Sequence, residues 1–507
     1  MWTKKISFPF FIISLLVVHW ALTCSANPDI VTVPGSPGPI MTKFEIVEQT
    51  LKSKGNPTAF PLITLEPAAS IKLQTLAEQY SIPKQIGFNR NVAMLSTAEN
   101  STKQLRWHKL PEHSYFTGIA ISSPEAVALR VGITVESLPE SAEFRFFSIG
   151  EGASADIQLV SARTILDILK NNREADPTDP NGKIFWSPTI EGDTISIEIY
   201  LPENHDPSSV QIAFPIISHI TALPFGSKGI KYSFQGYGDS NPCQNDATCA
   251  TSWLYLNSSV AGMQFSTDVG TYVCTGSLLN DRDPYTWKPY ILTANHCIGR
   301  QSVASTLETH WFWQSATCNS STLSSSYKKI SGGAILLHTQ AMSSGEPTSS
   351  SMDATLLILN SRPAAGARFA GWTTAVPPGT GTSRTGIHHP KADWKKISYG
   401  TSAGNAACGW AENQDFWCVE GNGNFYIVHW IDGGTEPGSS GSAIYFDKDN
   451  LIGILAGSNG ICAGSDSVYS SFRAAYAAGN YGQWLNTTPV IAPIIFLLLT
   501  NPNKSEF

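Results

Sequence analysis

The chain is short of charge. Only 14% of its 507 residues are Asp, Glu, Lys or Arg, and the formal net charge is −7. No basic excess exists to neutralise a phosphate backbone, so no nucleic-acid partner is expected. No CxxC pair occurs, which removes the commonest thiolate arrangement for a metal. Nothing in the sequence requires a metal or a cofactor. From Asn27 to about Phe225 there is no cysteine at all. Long apolar runs are also scarce. The tail "VIAPIIFLLL", Val490 to Leu499, is too short to span a bilayer and contains Pro493. It reads as a strand packed on the protein surface, with a membrane or sorting role as the alternative.

The one extended apolar run is N-terminal. Lys4 and Lys5 precede a stretch from Ile6 to about Leu22, followed by Cys24-Ser25-Ala26. This is the pattern of a signal peptide cut after Ala26, so the chain is expected to be exported and to keep no stable membrane span. An uncleaved anchor and a lipoprotein cut before Cys24 are the alternatives; Ala21-Leu22-Thr23 fits the second poorly. Removing Cys24 leaves Cys243, Cys249, Cys274, Cys297, Cys318, Cys408, Cys418 and Cys462. An even set in an exported chain implies disulfides.

The cysteine-free half alternates. Val127, Leu129, Val131, Ile133 and Val135 share one parity, as do Ile195, Ile197, Ile199 and Leu201. Period two predicts strands with one buried face. A short helix is expected over 161–171, with Ile165, Leu166, Ile168 and Leu169 inward, and a short helical pattern spans 71–80. Together these predict a β-rich, sandwich-like domain. Turn-rich 226–246 reads as a linker open to proteolysis. Beyond it come many short strands and no long amphipathic helix before Ser471. Roughly 250 residues of this kind suit a double β-barrel. The predicted division is a leader at 1–26, a β-rich domain with linker at 27–231, a barrel domain at 232–488 and a tail at 489–507.

Three motifs carry chemistry. Acyl transfer to a serine needs a base, an acid that orients the base, and two N–H donors for the oxyanion. "YILTANHCIG" places His296 at a strand end beside Cys297, where a bridge to Cys274 would hold it in place. "SMDATLLIL" places Asp353 at the head of an apolar strand, although an ordinary strand-start aspartate looks the same. "PGSSGSAIYF" sets Ser440 among Ser439, Ser442 and the glycines Gly438 and Gly441, which permit a sharp turn.

Together the motifs resemble the chymotrypsin-like serine peptidases, whose triad runs His, Asp, Ser. The chain is most similar to the bacterial lysyl endopeptidases through "CTGSLL", "LTANHC", "AGW" (Ala370 to Trp372), "IHHP" (Ile387 to Pro390), "KKIS" and "TEPGSSGSAIY". The resemblance covers about Cys243 to Leu485. It implies Ser440 as nucleophile, His296 as base, Asp353 as orienting acid, and the N–H groups of Gly438 and Ser440 as oxyanion hole. It implies disulfides Cys243–Cys462, Cys249–Cys318 and Cys274–Cys297, leaving Cys408 with Cys418. It also implies a secreted, monomeric endopeptidase acting on polypeptides, made with its N-terminal domain as a propeptide that assists folding or blocks the cleft.

Substrate choice is less plain. The position six residues before the nucleophile, acidic in trypsin-like members, is Gly434. Asp466 in "CAGSDSVYSSF" falls on the acid of lysyl endopeptidases, and at the floor of a closed pocket it would select Lys or Arg. Gly457 and Ser458 would bind substrate backbone as an added strand, and Glu436 would line the pocket. Trp410 or Trp417 would narrow the cleft. The family histidine of that cleft is replaced by Ala456. Paired His388 and His389 read as part of a structural strand, not a metal site. The alternatives are the same triad with non-basic specificity, and an inactive barrel serving binding or adhesion.

Overall fold

The alternating segments form strands Ala128–Ser137 and Thr194–Leu201, which lie in different sheets. The computed structural model describes residues 30–39, 51–53, 60–68, 83–148, 157–222, 240–283, 285–410 and 416–487. The leader, the helical pattern at 71–80, most of the linker and the tail at 490–499 lie outside the described residues.

In the N-terminal half one sheet runs in the order Leu62–Thr64, Tyr115–Ser122, Thr194–Leu201, Glu143–Ser148, Gln158–Ser161. The facing sheet runs Phe185–Trp186, Ala128–Ser137, Gln211–Ile220, Lys84–Asn91. Ile119, Ile195, Ile197 and Ile199 from the first share one core with Leu129, Val131, Ile133 and Phe214 from the second. This is a β-sandwich, and each such buried side chain contributes roughly 1.5–3 kcal/mol. Helix Ala162–Ala175 is capped by Ser161, whose side chain accepts from the Thr164 N–H, and it buries Ile165 and Ile168.

The even positions of Ala128–Ser137 should face water by the period-two rule, but Ala128, Arg130 and Gly132 are buried. The reason is that the second sheet does not stop at the domain. Strand Lys84–Asn91 pairs onward with Gly270–Leu279, from Gly270 opposite Phe88 to Val273 opposite Lys84. The sheet continues into the first barrel through Val260–Ser266 and Glu308–Trp311. Buried Arg130 reaches across, donating to Ser187 O at 2.9 Å, Ser266 Oγ at 3.0 Å and Thr306 O at 2.9 Å. Buried Glu308 receives the Thr189 N–H at 3.0 Å, the Thr189 hydroxyl, and Gln264 Nε2 at 3.2 Å.

The second barrel comprises Ala443–Tyr445, Ser383–His388, Lys396–Trp410, Phe425–Asp432, Asp466–Ser471 and Leu451–Ser458. The pairing of Leu451–Ser458 with Asp466–Ser471 closes it, which removes the free sheet edge. The fold is all-β, with a chymotrypsin-like double barrel behind a sandwich. Cystines join Cys243 to Cys462, Cys249 to Cys318, Cys274 to Cys297, and Cys408 to Cys418. One N-terminal segment joins the C-terminal half outright. Thr32–Val33 pairs with Trp372–Thr373, and Ser36–Pro37 with Arg368–Phe369. Val33 is buried in the same core as Phe369 and Trp372.

Candidate active site

His296 and Asp353 come together because their strands are neighbours. Tyr290–Thr293 and Ala354–Leu359 pair antiparallel, with Thr293 opposite Thr355, so His296 follows one strand where Asp353 precedes the other. His296 Nδ1 lies 2.5 Å from Asp353 Oδ2, and the His296 backbone N–H donates to Oδ1 at 3.0 Å. Asp353 is almost wholly buried, and its own N–H donates to Ser470 Oγ at 2.7 Å. An ionised carboxylate can only accept, so Nδ1 carries the proton and Nε2 offers a lone pair. Nε2 is buried and has no hydrogen-bond partner among the described residues. The Cys274–Cys297 bridge stands beside the ring. Those two sulfurs and His296 are mutually close, but cystine sulfurs are not thiolates and do not make a metal site.

Ser440 sits in a turn wedged between both barrels. Gly441 has φ +79°, and a Cβ there would meet Thr293 Oγ1 at 2.1 Å, on the strand leading to His296. Gly438 has φ +100°, and a Cβ there would meet His389 O at 2.8 Å. Neither position admits a larger residue. Thr275, next to Cys274, donates its N–H to Ser440 O at 2.9 Å and its hydroxyl to Gly438 O at 2.9 Å.

The carbonyls that precede the two candidate oxyanion donors are both engaged. Pro437 O accepts from the Lys391 N–H at 2.6 Å, and Ser439 O accepts from the Ser442 N–H at 3.0 Å. A trans peptide points its N–H opposite its carbonyl, so the Gly438 and Ser440 N–H groups face away from those contacts. Lys391 and Ala392 adopt φ of +49° and +61° to make this loop. Such conformations in non-glycine residues are held by their surroundings.

Several sequence expectations are changed here. Asp466 is not enclosed. Its side chain is 39% exposed and its Oδ1 lies 2.8 Å from His429 Nδ1. The cause is strand alternation: Ser467 points inward to Trp430 Nε1 at 2.7 Å, so Asp466 takes the outer face opposite His429. Glu436 does not line open space either. It is buried, accepts the Asn241 N–H at 2.9 Å and faces Lys391 Nζ at 3.5 Å. Burial pushes its carboxyl up, against the pull of Asn241 and Lys391.

Gly434 is required by packing, since a Cβ there would meet Ile461 O at 2.3 Å. Gly457 and Ser458 lie on the strand that leaves the Ser442–Leu455 contact, just beyond the turn. Of the two tryptophans, Trp410 stands beside the base, its ring centroid 6.4 Å from that of His296 and edge-on. Trp417 lies across the hairpin, opposite Gly409. The roles of Thr275 and Ser470 were not read from the sequence, because hydroxyls so common in the chain carry no local signal.

Comparison with known proteins follows the same division. The family model for the lysyl endopeptidase C-terminal domain matches residues 237–472, and that for the N-terminal domain matches 61–221. The chain is 31% identical over 383 residues to the lysyl endopeptidase of Pseudomonas aeruginosa, a match covering 73% of each chain. Similar solved structures include the MamO protease domain from Magnetospirillum magneticum, at 10% identity and TM-score 0.29, covering 45% of this chain and 98% of that one. A scabies mite inactivated protease paralogue shares 13% identity at TM-score 0.29, covering 46% and 94%. An HtrA-type protease AlgW with tripeptide shares 15% at TM-score 0.27, covering 46% and 62%. These structural likenesses are slight, and the double barrel rests on the strand pairing described above.

Proposed function

The chain belongs to the lysyl endopeptidase family of serine endopeptidases, and from that premise we propose that it cleaves polypeptides on the carboxyl side of Lys. Ser440 attacks the scissile carbonyl while His296 Nε2 takes the hydroxyl proton. Asp353 keeps the ring in the Nδ1–H tautomer and stabilises the imidazolium. The Gly438 and Ser440 N–H groups receive the oxyanion. His296 then returns its proton to the leaving amine, and water repeats the sequence on the acyl-enzyme. The observation that carries this reading is the buried, unpartnered Nε2 of a histidine whose other nitrogen is fixed by Asp353.

Lys preference is supported by the relative's name and by Asp466, a half-exposed carboxylate at the end of a strand beside Gly457 and Ser458. The protein is made for export, with the sandwich as a propeptide seated on the first barrel. A fluorophosphonate probe tests the chemistry: labelling of the mature protein, lost in Ser440→Ala, is expected, and no labelling overturns it. A peptide library tests the specificity. If Lys is not enriched before the cut, that part is wrong.

A further inference from the structure

The residue before the nucleophile is Ser439, which has no charge to anchor the turn. Its hydroxyl instead meets a histidine from another strand. His388, at the end of Ser383–His388, is fully buried, with Nδ1 2.8 Å from Ser439 Oγ and Nε2 3.0 Å from Ser398 Oγ. Ser398 Oγ donates to Gly434 O at 2.8 Å and accepts the Gly434 N–H at 3.0 Å. Ser439 Oγ accepts the Glu436 N–H at 3.2 Å.

Counting protons fixes the directions. Ser398 has one hydroxyl proton, and Gly434 O can only accept it. The Ser398 oxygen therefore accepts from Gly434 N–H and from His388 Nε2–H. Nδ1 is then bare and accepts the Ser439 O–H, which frees the Ser439 oxygen for Glu436 N–H. Every polar atom of the relay is satisfied with a neutral ring, as a buried network requires. Burial pushes the His388 imidazole down to about 3, in keeping with that neutrality.

We propose that His388 is a positioning residue: through Ser439 it holds the turn that carries both oxyanion donors, and through Ser398 it fixes Gly434 against that turn. The inference rests on Ser440 being the nucleophile. One imidazole thereby ties the segment before the turn to the turn itself, with neutral hydrogen bonds in place of an ion pair. The following residues of the same loop complete the support, since Lys391 N–H holds Pro437 O.

The test uses mature enzyme carrying Ser439→Ala, His388→Leu or His388→Gln. The first two should lower kcat by about 10²-fold, the cost typical of losing an oxyanion donor, with KM changed less than about threefold. Binding of a peptide aldehyde, which forms the oxyanion, should weaken in parallel. Binding of the same peptide with a reduced, carbonyl-free scissile bond should not change. His388→Gln, able to donate and accept along the same line, should recover part of the loss. Unchanged kcat in folded Ser439→Ala overturns the proposal, as does equal weakening of the aldehyde and the reduced peptide. Ser439→Ala removes one oxygen only and carries the test if His388→Leu is not secreted. A wild type that no fluorophosphonate labels overturns the endopeptidase reading and this role with it. A labelled wild type beside an unaffected Ser439→Ala overturns the positioning role alone.

Discussion

Asp353 grips His296 twice, taking the ring Nδ1–H at 2.5 Å with one oxygen and the backbone N–H at 3.0 Å with the other. The same carboxylate thus sets both the position of the residue and its tautomer. Asp353→Asn should keep the fold but offer Nδ1 a donor instead of an acceptor at one oxygen. The imidazole then presents the wrong tautomer, and kcat should fall by about 10⁴. Steady-state hydrolysis of a Lys-containing peptide checks this, with near-wild-type secretion as the control.

Asp466 offers an attraction that water can reach. Two charges about 4 Å apart in water interact by only about 1 kcal/mol, and more once a substrate excludes solvent. Asp466→Asn should therefore lower kcat/KM for Lys substrates by about 10- to 100-fold, with little change for neutral ones. Equal losses for both classes would show that this carboxylate does not choose the substrate.

Glu308 joins the two halves chemically. Burial alone would raise its carboxyl, but Arg130, Lys329, Ser331 and Thr189 outweigh it and hold the group down at about 2. A carboxyl lower in the fold than in the unfolded chain stabilises fully above the unfolded value. That stability is lost as pH falls toward 2. Glu308→Gln in a Ser440→Ala precursor leaves Arg130 buried and unneutralised, at a cost on the order of 3 kcal/mol near pH 7. Urea unfolding should show this deficit shrinking between pH 5 and pH 2.

Lys395 should leave an alkaline signature. It is fully buried, donates to Asn257 O at 2.5 Å, and burial pushes its amine down to about 7. The fold prefers the neutral amine, while the unfolded chain keeps the cation until about pH 10.4. Stability therefore rises with pH from 7 upward through this group. Buried Tyr445, pushed up to about 12, acts in the opposite sense only near pH 10 and above. Lys395→Met should flatten the stability profile between pH 7 and pH 9.5, read by thermal unfolding across that window.

What the sequence made legible was whatever leaves a local mark. The period-two runs at 127–135 and 195–201 became the facing sheets of the sandwich, and the order His296, Asp353, Ser440 pointed to the site. The buried even positions such as Arg130 left no mark, because their burial comes from a partner sheet far along the chain. The exposure of Asp466 was not legible for a related reason. Its place in the motif was visible, but the face it occupies depends on the register with His429. His388 and His389 were read as plain strand, since a buried hydrogen-bond relay through Ser398 and Ser439 has no fixed spacing.

The sandwich and the short N-terminal strands at Thr32–Val33 and Ser36–Pro37 hold the barrels at two separate places on one tether. With the sandwich proposed as a propeptide, a linker cut would convert it into a bivalent ligand, not a released one. While one anchor is loose, the other keeps it at high effective concentration, and it rebinds. Activity should lag behind the first cut. A second cut between the anchors, where Lys43 and Lys54 lie, would split that ligand into two monovalent pieces. The timing of activation would then be set by that second event, and a population of enzyme could trigger it in its neighbours.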